Sequence, residues 1–282
     1  MDALVRTDWL ADELGADDLR VVDATFYPAV PGAPIGDAAA EFEAAHIPGA
    51  VFMDLAAMAD RDTHLPSMLP PADQFAAAMS ALGIGDADRV VLYDRSPYRT
   101  AARAWWMLQA FGKSEVAILD GGFAKWQDEG HPVTRGAERP ARRRFAAHPD
   151  KERVRNLAQM AANLDTAAEQ VLDARGAARF TGDEPDPHHG TASGHIPGSK
   201  NLPYARLFNP DGTWKTADAL RAEFDAAEID LAKPLVTTCG SGITAAVLAF
   251  GAHLLGNEAA LYDGSWSEWG ADPASLKATG PA

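Results

Sequence analysis

The sequence predicts an α/β protein built as two tandem units, each a central, mostly parallel sheet with helices on both faces. Three observations carry that prediction. Short runs rich in Val, Leu and Ile alternate with amphipathic stretches at helical spacing. The chain echoes itself once along its length. At 282 residues, 47% hydrophobic and 23% charged, it has the composition of an ordinary globular protein and nearly twice the roughly 150 residues expected of one domain.

In chain order, residues 19–23, 90–93, 116–119, 171–173, 234–238 and 259–262 read as short buried strands, and 73–82, 100–111, 217–227 and 244–255 as helices. Such alternation favours a parallel sheet whose functional sites gather at the carboxyl ends of the strands. Val21-Val22-Asp23-Ala24 is echoed by Val171-Leu172-Asp173-Ala174, and His46-Ile47-Pro48-Gly49 by His195-Ile196-Pro197-Gly198. Val91-Leu92-Tyr93-Asp94 answers Val236-Thr237-Thr238-Cys239, and Asp120-Gly121-Gly122-Phe123 answers Asp263-Gly264-Ser265-Trp266. A period of about 145 residues is far above the 20–50 of solenoid repeats, so a duplicated domain is expected. The polar, proline-bearing stretch 135–144 has no apolar periodicity, which places an N-terminal domain at 1–136, a linker at 137–156 and a C-terminal domain at 157–282. Its arginines read as a solvated connector or as a strap on the acidic domains.

Composition excludes several classes of function. Forty acidic against 25 basic side chains give a net charge of -15, which repels a phosphate backbone and an anionic leaflet, so no nucleic-acid or membrane partner is expected. No stretch approaches ~20 uninterrupted apolar residues, and Met1-Asp2-Ala3-Leu4-Val5-Arg6 lacks the order of a secretory signal, so the expected location is cytoplasmic. A single cysteine cannot close an internal disulfide or supply a thiolate zinc cage, and no metal is expected. Cys239 is therefore a core residue or a reactive thiol.

Its surroundings favour reactivity. Lys233–Thr238 reads as a buried strand, Cys239-Gly240-Ser241-Gly242-Ile243 as a tight turn, and Thr244 onward as a helix. Gly240 and Gly242 can take positive φ, letting successive N–H groups turn inward beside a positive helix end, a cradle that favours a thiolate. A phosphatase loop would end in an arginine six positions after the cysteine, where this chain has Ala245, and residues 240–244 hold no cation for a dianion. The cradle suits a single sulfur atom. Elsewhere, His46 and His195 read as braces of their turns, Trp105, Trp106 and Trp126 as core, and Asp263 and Glu268 as residues that cap and pin the last helix.

The duplicated halves, the His-Ile-Pro-Gly turns, the Asp263-Gly264-Ser265-Trp266-Ser267-Glu268-Trp269 segment and the cysteine loop together resemble the two-domain rhodanese family over nearly the whole chain. The loop Cys239-Gly240-Ser241-Gly242-Ile243-Thr244 is similar to that of its 3-mercaptopyruvate sulfurtransferases, whereas the thiosulfate enzymes carry basic residues after the cysteine. The resemblance implies two rhodanese-like domains, of which the N-terminal one has lost its nucleophile to Asp94. It implies that Cys239 takes sulfur from 3-mercaptopyruvate, releases pyruvate and passes the sulfur to cyanide or a thiol such as a thioredoxin-like dithiol, without metal or organic cofactor, in a monomer. Ser241 would handle the donor's thiol proton, Gly240, Gly242, Ile243 and Thr244 would complete the persulfide loop, and Arg179 would anchor the carboxylate through its planar fork. Arg175 is expected to pair with an acid such as Asp173.

Two positions depart from the family pattern. His188 stands where a second substrate arginine is usual, and an imidazole carries only part of a charge near neutrality. Ala56 and Ser67 stand where the family often has the acid and the histidine of a proton relay; His64 is close by in sequence, and no relay is assigned. Thiosulfate as main donor, and a persulfide carrier without turnover, are the alternatives.

Overall fold

A computed structural model describes residues 1–29, 36–136, 140–187 and 190–281. The N-terminal half runs β1 (Leu4–Val5), α1 (Thr7–Glu13), β2 (Leu19–Asp23), α2 (Ala38–Ala44), β3 (Val51–Phe52), α3 (Leu55–Met58), α4 (Ala72–Ala81), β4 (Arg89–Tyr93), α5 (Ala101–Ala110), β5 (Val116–Leu119) and α6 (Gly122–Asp128). The C-terminal half repeats the theme with β6 (Val154–Arg155), α7 (Leu157–Thr166), β7 (Gln170–Asp173), α8 (Ala177–Thr181), β8 (Lys200–Asn201), α9 (Ala217–Ala226), β9 (Leu235–Thr238), α10 (Ala245–His253), β10 (Ala260–Tyr262) and α11 (Ser265–Trp269). The sheets have the orders β1-β5-β4-β2-β3 and β6-β10-β9-β7-β8, the same permutation, and every pairing is parallel.

All six strands expected from the sequence are present. β5, β9 and β10 are buried at every residue, as strands covered on both faces must be. The four strands the sequence did not predict, β1, β3, β6 and β8, are two residues long and form the sheet edges. Two residues carry no periodicity, and only the neighbouring strand defines them.

After the first half the chain lies against it as a strap. Arg143 pairs with buried Asp88 at 2.5 Å, its N–H donates to the Ser80 carbonyl at 3.2 Å, and Phe145 packs edge-on against Phe75 at 5.9 Å. Residues 137–139 of the expected linker lie outside the described residues. His46 and His195 brace their turns as expected: each Nδ1–H donates to a carbonyl, of Phe42 at 2.7 Å and of Phe180 at 2.8 Å, with the ring stacked on that phenylalanine. Among the described residues no helix is long and apolar enough to cross a membrane.

The halves dock through α5 and α10, the helices that follow equivalent strands. Every residue from Ala245 to Ala252 and from Ala101 to Leu108 is buried, as in helices enclosed on all sides. Trp105 lies edge-on to Phe250 at 4.9 Å, and Trp214 lies tilted against the same ring at 4.9 Å. Trp105, Trp106 and Trp126 are all core, as read from the sequence, and Trp105 belongs to the core that the halves share. Two carboxylates reach across in opposite directions. Asp120 accepts the Trp214 N–H at 2.8 Å, and Asp263 accepts the Leu69 N–H at 2.7 Å.

Trp105→Ala would leave a cavity between the halves. It is expected to cost about 3–5 kcal/mol in urea unfolding; an unchanged midpoint would mean that the seam between α5 and α10 contributes little to the fold.

Candidate active site

Cys239 leaves the carboxyl end of β9 and is 2% exposed. The Gly242 N–H donates to its Sγ at 3.1 Å, placing a main-chain donor on the sulfur. Gly242 has φ +79°, and a Cβ there would lie 3.0 Å from the Asp263 carbonyl oxygen and 3.1 Å from Arg103 Nη1, so both its conformation and its neighbours require glycine. Gly240, which is equally free to take a positive φ, does not adopt it. One left-handed residue suffices because the loop's carbonyls are held from outside. The Trp266 N–H donates to the Cys239 carbonyl at 2.9 Å, and the Ser267 N–H and hydroxyl donate to the Gly240 carbonyl at 2.8 and 2.6 Å. The Cys239 N–H in turn donates to Ser265 Oγ at 3.2 Å. The start of α11 thus clamps the loop.

Asp263 does not cap that helix, contrary to the sequence reading. The cap position is Gly264, with no side-chain bond, and the Asp263 carboxylate pairs instead with Arg103 of the other half at 2.8 Å. A buried carboxylate gains more from a guanidinium than from the first turn of a five-residue helix. Glu268 does pin α11, accepting the Tyr262 hydroxyl at 2.7 Å.

Cys239, Gly240, Ser241, Ile243 and Thr244 line a cleft together with Arg175, Arg179, Pro187 and Tyr204, and with Pro28 and Tyr98 from the N-terminal half. Of the residues singled out in the sequence, Gly242 lies behind the loop and is not on this wall, and neither is Ser67 or the exposed His64. His188 lies outside the described residues. Among the described residues no group of three or more His, Cys, Asp and Glu is placed to hold a metal.

The two arginines differ in what they already hold. Arg175 is 3% exposed, pairs with Asp173 at 2.7 Å as read from the sequence, donates to the Gly194 carbonyl at 2.8 Å and lies over Trp266 at 4.5 Å. Burial works against its charge, but Asp173, Asp186 and the nearby Cys239 sulfur outweigh that and hold it above the usual arginine range. Arg179 is more open, with 26% of its side chain exposed; it meets Asp186 at 2.5 Å, and its buried Nε has no partner among the described residues. A buried donor without an acceptor is costly, and it belongs to a side chain that lines the cleft.

The sequence reading missed Pro28, Tyr98, Tyr204 and Arg103. Tyr98 sits in the loop after β4, which answers the cysteine loop in the repeat, but which cleft that loop faces is set by docking. Tyr204 closes part of the seam, its hydroxyl donating to the Pro97 carbonyl at 3.2 Å, and burial pushes its phenol up.

At the head of the N-terminal loop stands Asp94, 7% exposed, with Oδ2 accepting the Ala101 N–H at 2.7 Å and Oδ1 buried without a partner among the described residues. Burial pushes this carboxyl up to about 6; the Ala101 N–H and Arg99 oppose the rise, and Asp23 adds to it.

The profile of the rhodanese-like domain matches residues 6–129 and again 156–272. The human 3-mercaptopyruvate sulfurtransferase is 40% identical over 274 residues, covering 95% of this chain and 91% of its own. The chicken thiosulfate sulfurtransferase is also 40% identical, over 95% of this chain and 93% of its own. Among solved structures, that of SseA from Escherichia coli, described as a 3-mercaptopyruvate sulfotransferase, superposes with a TM-score of 0.86 at 36% identity, covering 94% of this chain and 99% of that one.

Asp94 gives a pH test. A carboxyl at about 6 in the folded state, against 3.8 ordinarily, binds protons that the unfolded chain has lost, so this contribution to stability is lost as pH rises through about 6. Asp94→Asn is expected to add little near pH 3 and up to about 3 kcal/mol above pH 7, read by urea unfolding across that range. A gain independent of pH would mean that ionisation of Asp94 is not what costs stability.

Proposed function

Because the chain belongs to the rhodanese family of sulfurtransferases, we propose that it moves a sulfane sulfur from 3-mercaptopyruvate to a thiol or cyanide acceptor, through a persulfide on Cys239. One observation carries this reading: the cysteine sulfur, held by a main-chain N–H with no cation in residues 240–244, shares its cleft with Arg179, whose Nε has no partner among the described residues. The neutral loop suits one sulfur atom, and the partly exposed guanidinium suits a carboxylate.

In the first half-reaction the Cys239 thiolate attacks the donor's sulfur. An S–S bond forms, the donor's C–S bond breaks, and its electron pair passes to the carbon that becomes the methyl group of pyruvate. The proton that leaves the donor's thiol ends on that carbon, with the Ser241 hydroxyl as its handler. In the second, an acceptor thiolate or cyanide takes the outer sulfur and restores the Cys239 thiolate. Gly240, Gly242, Ile243 and Thr244 shape the loop that stabilises both anions, the preorganised donor arrangement of an oxyanion hole applied to sulfur. Arg179 anchors the carboxylate, and His188 is assigned beside it from the family resemblance.

The same proposal takes residues 1–136 and 157–282 as the two domains, joined by 137–156, in a cytoplasmic monomer that uses a thioredoxin-like dithiol as acceptor. Thiosulfate is the second reading, favoured by the presence of both Arg175 and Arg179 on the cleft wall.

Steady-state sulfur transfer from each donor separates the two, and a larger kcat/KM with thiosulfate would reverse the assignment. Intact mass should show a gain of one sulfur after exposure to donor, absent in Cys239→Ser. Arg179→Ala is expected to raise KM for 3-mercaptopyruvate roughly 10- to 100-fold, the worth of one charge-assisted hydrogen-bonded contact, while persulfide already formed still transfers. An unchanged KM would remove Arg179 from the substrate site.

A further inference from the structure

We propose that Arg103, from the N-terminal half, is a positioning residue for the cysteine loop: it grips the Gly242 carbonyl and Asp263 from behind and so holds the Gly242 N–H on the sulfur. The inference rests on the reading of Cys239 as the sulfur carrier and extends it to a residue that does not touch the cleft.

Arg103 is 1% exposed in the middle of α5. Its Nη1 lies 2.8 Å from Asp263 Oδ1 and donates to the Gly242 carbonyl at 3.2 Å, its Nη2 donates to the Ser67 carbonyl, and its plane lies over the Trp106 ring at 4.5 Å. Asp263 Oδ2 accepts the Leu69 N–H at 2.7 Å, so the ion pair is enclosed by both halves. Gly242 is the residue whose N–H meets Cys239 Sγ, and its left-handed conformation brings its carbonyl to the guanidinium. A planar fork can serve carboxylate and two carbonyls at once; an ammonium on a flexible stem cannot hold that geometry.

The duplication supplies an internal comparison. Asp120 and Asp263 are equivalent, and each reaches a main-chain N–H of the other half, of Trp214 and of Leu69. Arg103 has no such counterpart. The third residue of α5 corresponds to the third residue of α10, which is Val247, fully buried and apolar. A docking role common to both seams would call for a cation in both helices. The one arginine stands behind the loop that carries sulfur, and the helix with valine belongs to the half that faces the Asp94 loop, which has no nucleophile.

Cys239 is the only cysteine in the chain, so alkylation reports on it alone. The rate of iodoacetamide modification is measured against pH for the wild type, Arg103→Lys, the double variant Arg103→Gln with Asp263→Asn, which removes both buried charges together, and Trp105→Ala as an interface control. Thermal unfolding is recorded for each. Arg103→Lys and the double variant are expected to fold, to react roughly tenfold more slowly near neutrality and to show rate–pH profiles displaced upward by about one unit, with Trp105→Ala less stable but unshifted. Profiles that stay with the wild type in both Arg103 variants, or a Trp105→Ala profile displaced as far as theirs, would overturn the proposal and leave Arg103 a structural residue. Alkylation needs no sulfur donor, so failure of the wild type to load sulfur would defeat the functional reading without touching this one.

Discussion

A buried carboxylate, Asp263, is the point on which the two halves and the cysteine loop converge. It stands directly after β10, pairs with Arg103 and accepts the Leu69 N–H, both from the other half, while its own carbonyl oxygen would lie 3.0 Å from a Cβ at Gly242. A charge taken out of water is tolerable only when paired and hydrogen-bonded. In the docked structure the partners of the Asp263 carboxylate, Arg103 and the Leu69 N–H, come from the other half, so the cysteine loop is backed by contacts across the seam.

The duplicated frame has been used unequally. Both halves keep the same strand permutation, the same His-Ile-Pro-Gly brace and a helix starting where the key loop ends. In the N-terminal half the position equivalent to Cys239 holds Asp94, whose buried carboxyl resists ionisation and, among the described residues, forms no ion pair of the kind Asp263 makes. That half contributes instead to the surroundings of the cysteine: Pro28 and Tyr98 on the cleft wall, and Arg103 behind the loop.

Within the cleft, charge is kept on the wall and off the loop. Arg175 is occupied by Asp173, the Gly194 carbonyl and the face of Trp266, which fix it rigidly near the sulfur. Arg179 shares Asp186, and its buried Nε has no partner among the described residues. The loop offers the Gly242 N–H to the sulfur and no cation in residues 240–244, which favours a compact anion without drawing in a phosphate.

The sequence by itself determined what local energetics decide. The six inner strands, the helices α4, α5, α9 and α10, the repeat and the strand–turn–helix around Cys239 all write their signals in neighbouring residues, through β-branched runs, helical periodicity and glycines. Arg175 with Asp173 was legible for the same reason, being two residues apart at the end of one strand. The tertiary structure alone decided the rest. The edge strands β1, β3, β6 and β8 exist through their neighbours. Of the two loop glycines Gly242 turns left-handed, where Asp263 and Arg103 leave little room for a Cβ, and Asp263 leaves the helix it precedes because a distant guanidinium binds it better than that short helix can. Periodicity and turn chemistry belong to the chain, whereas the partner of a buried charge belongs to the docking of two surfaces, and no local pattern encodes it.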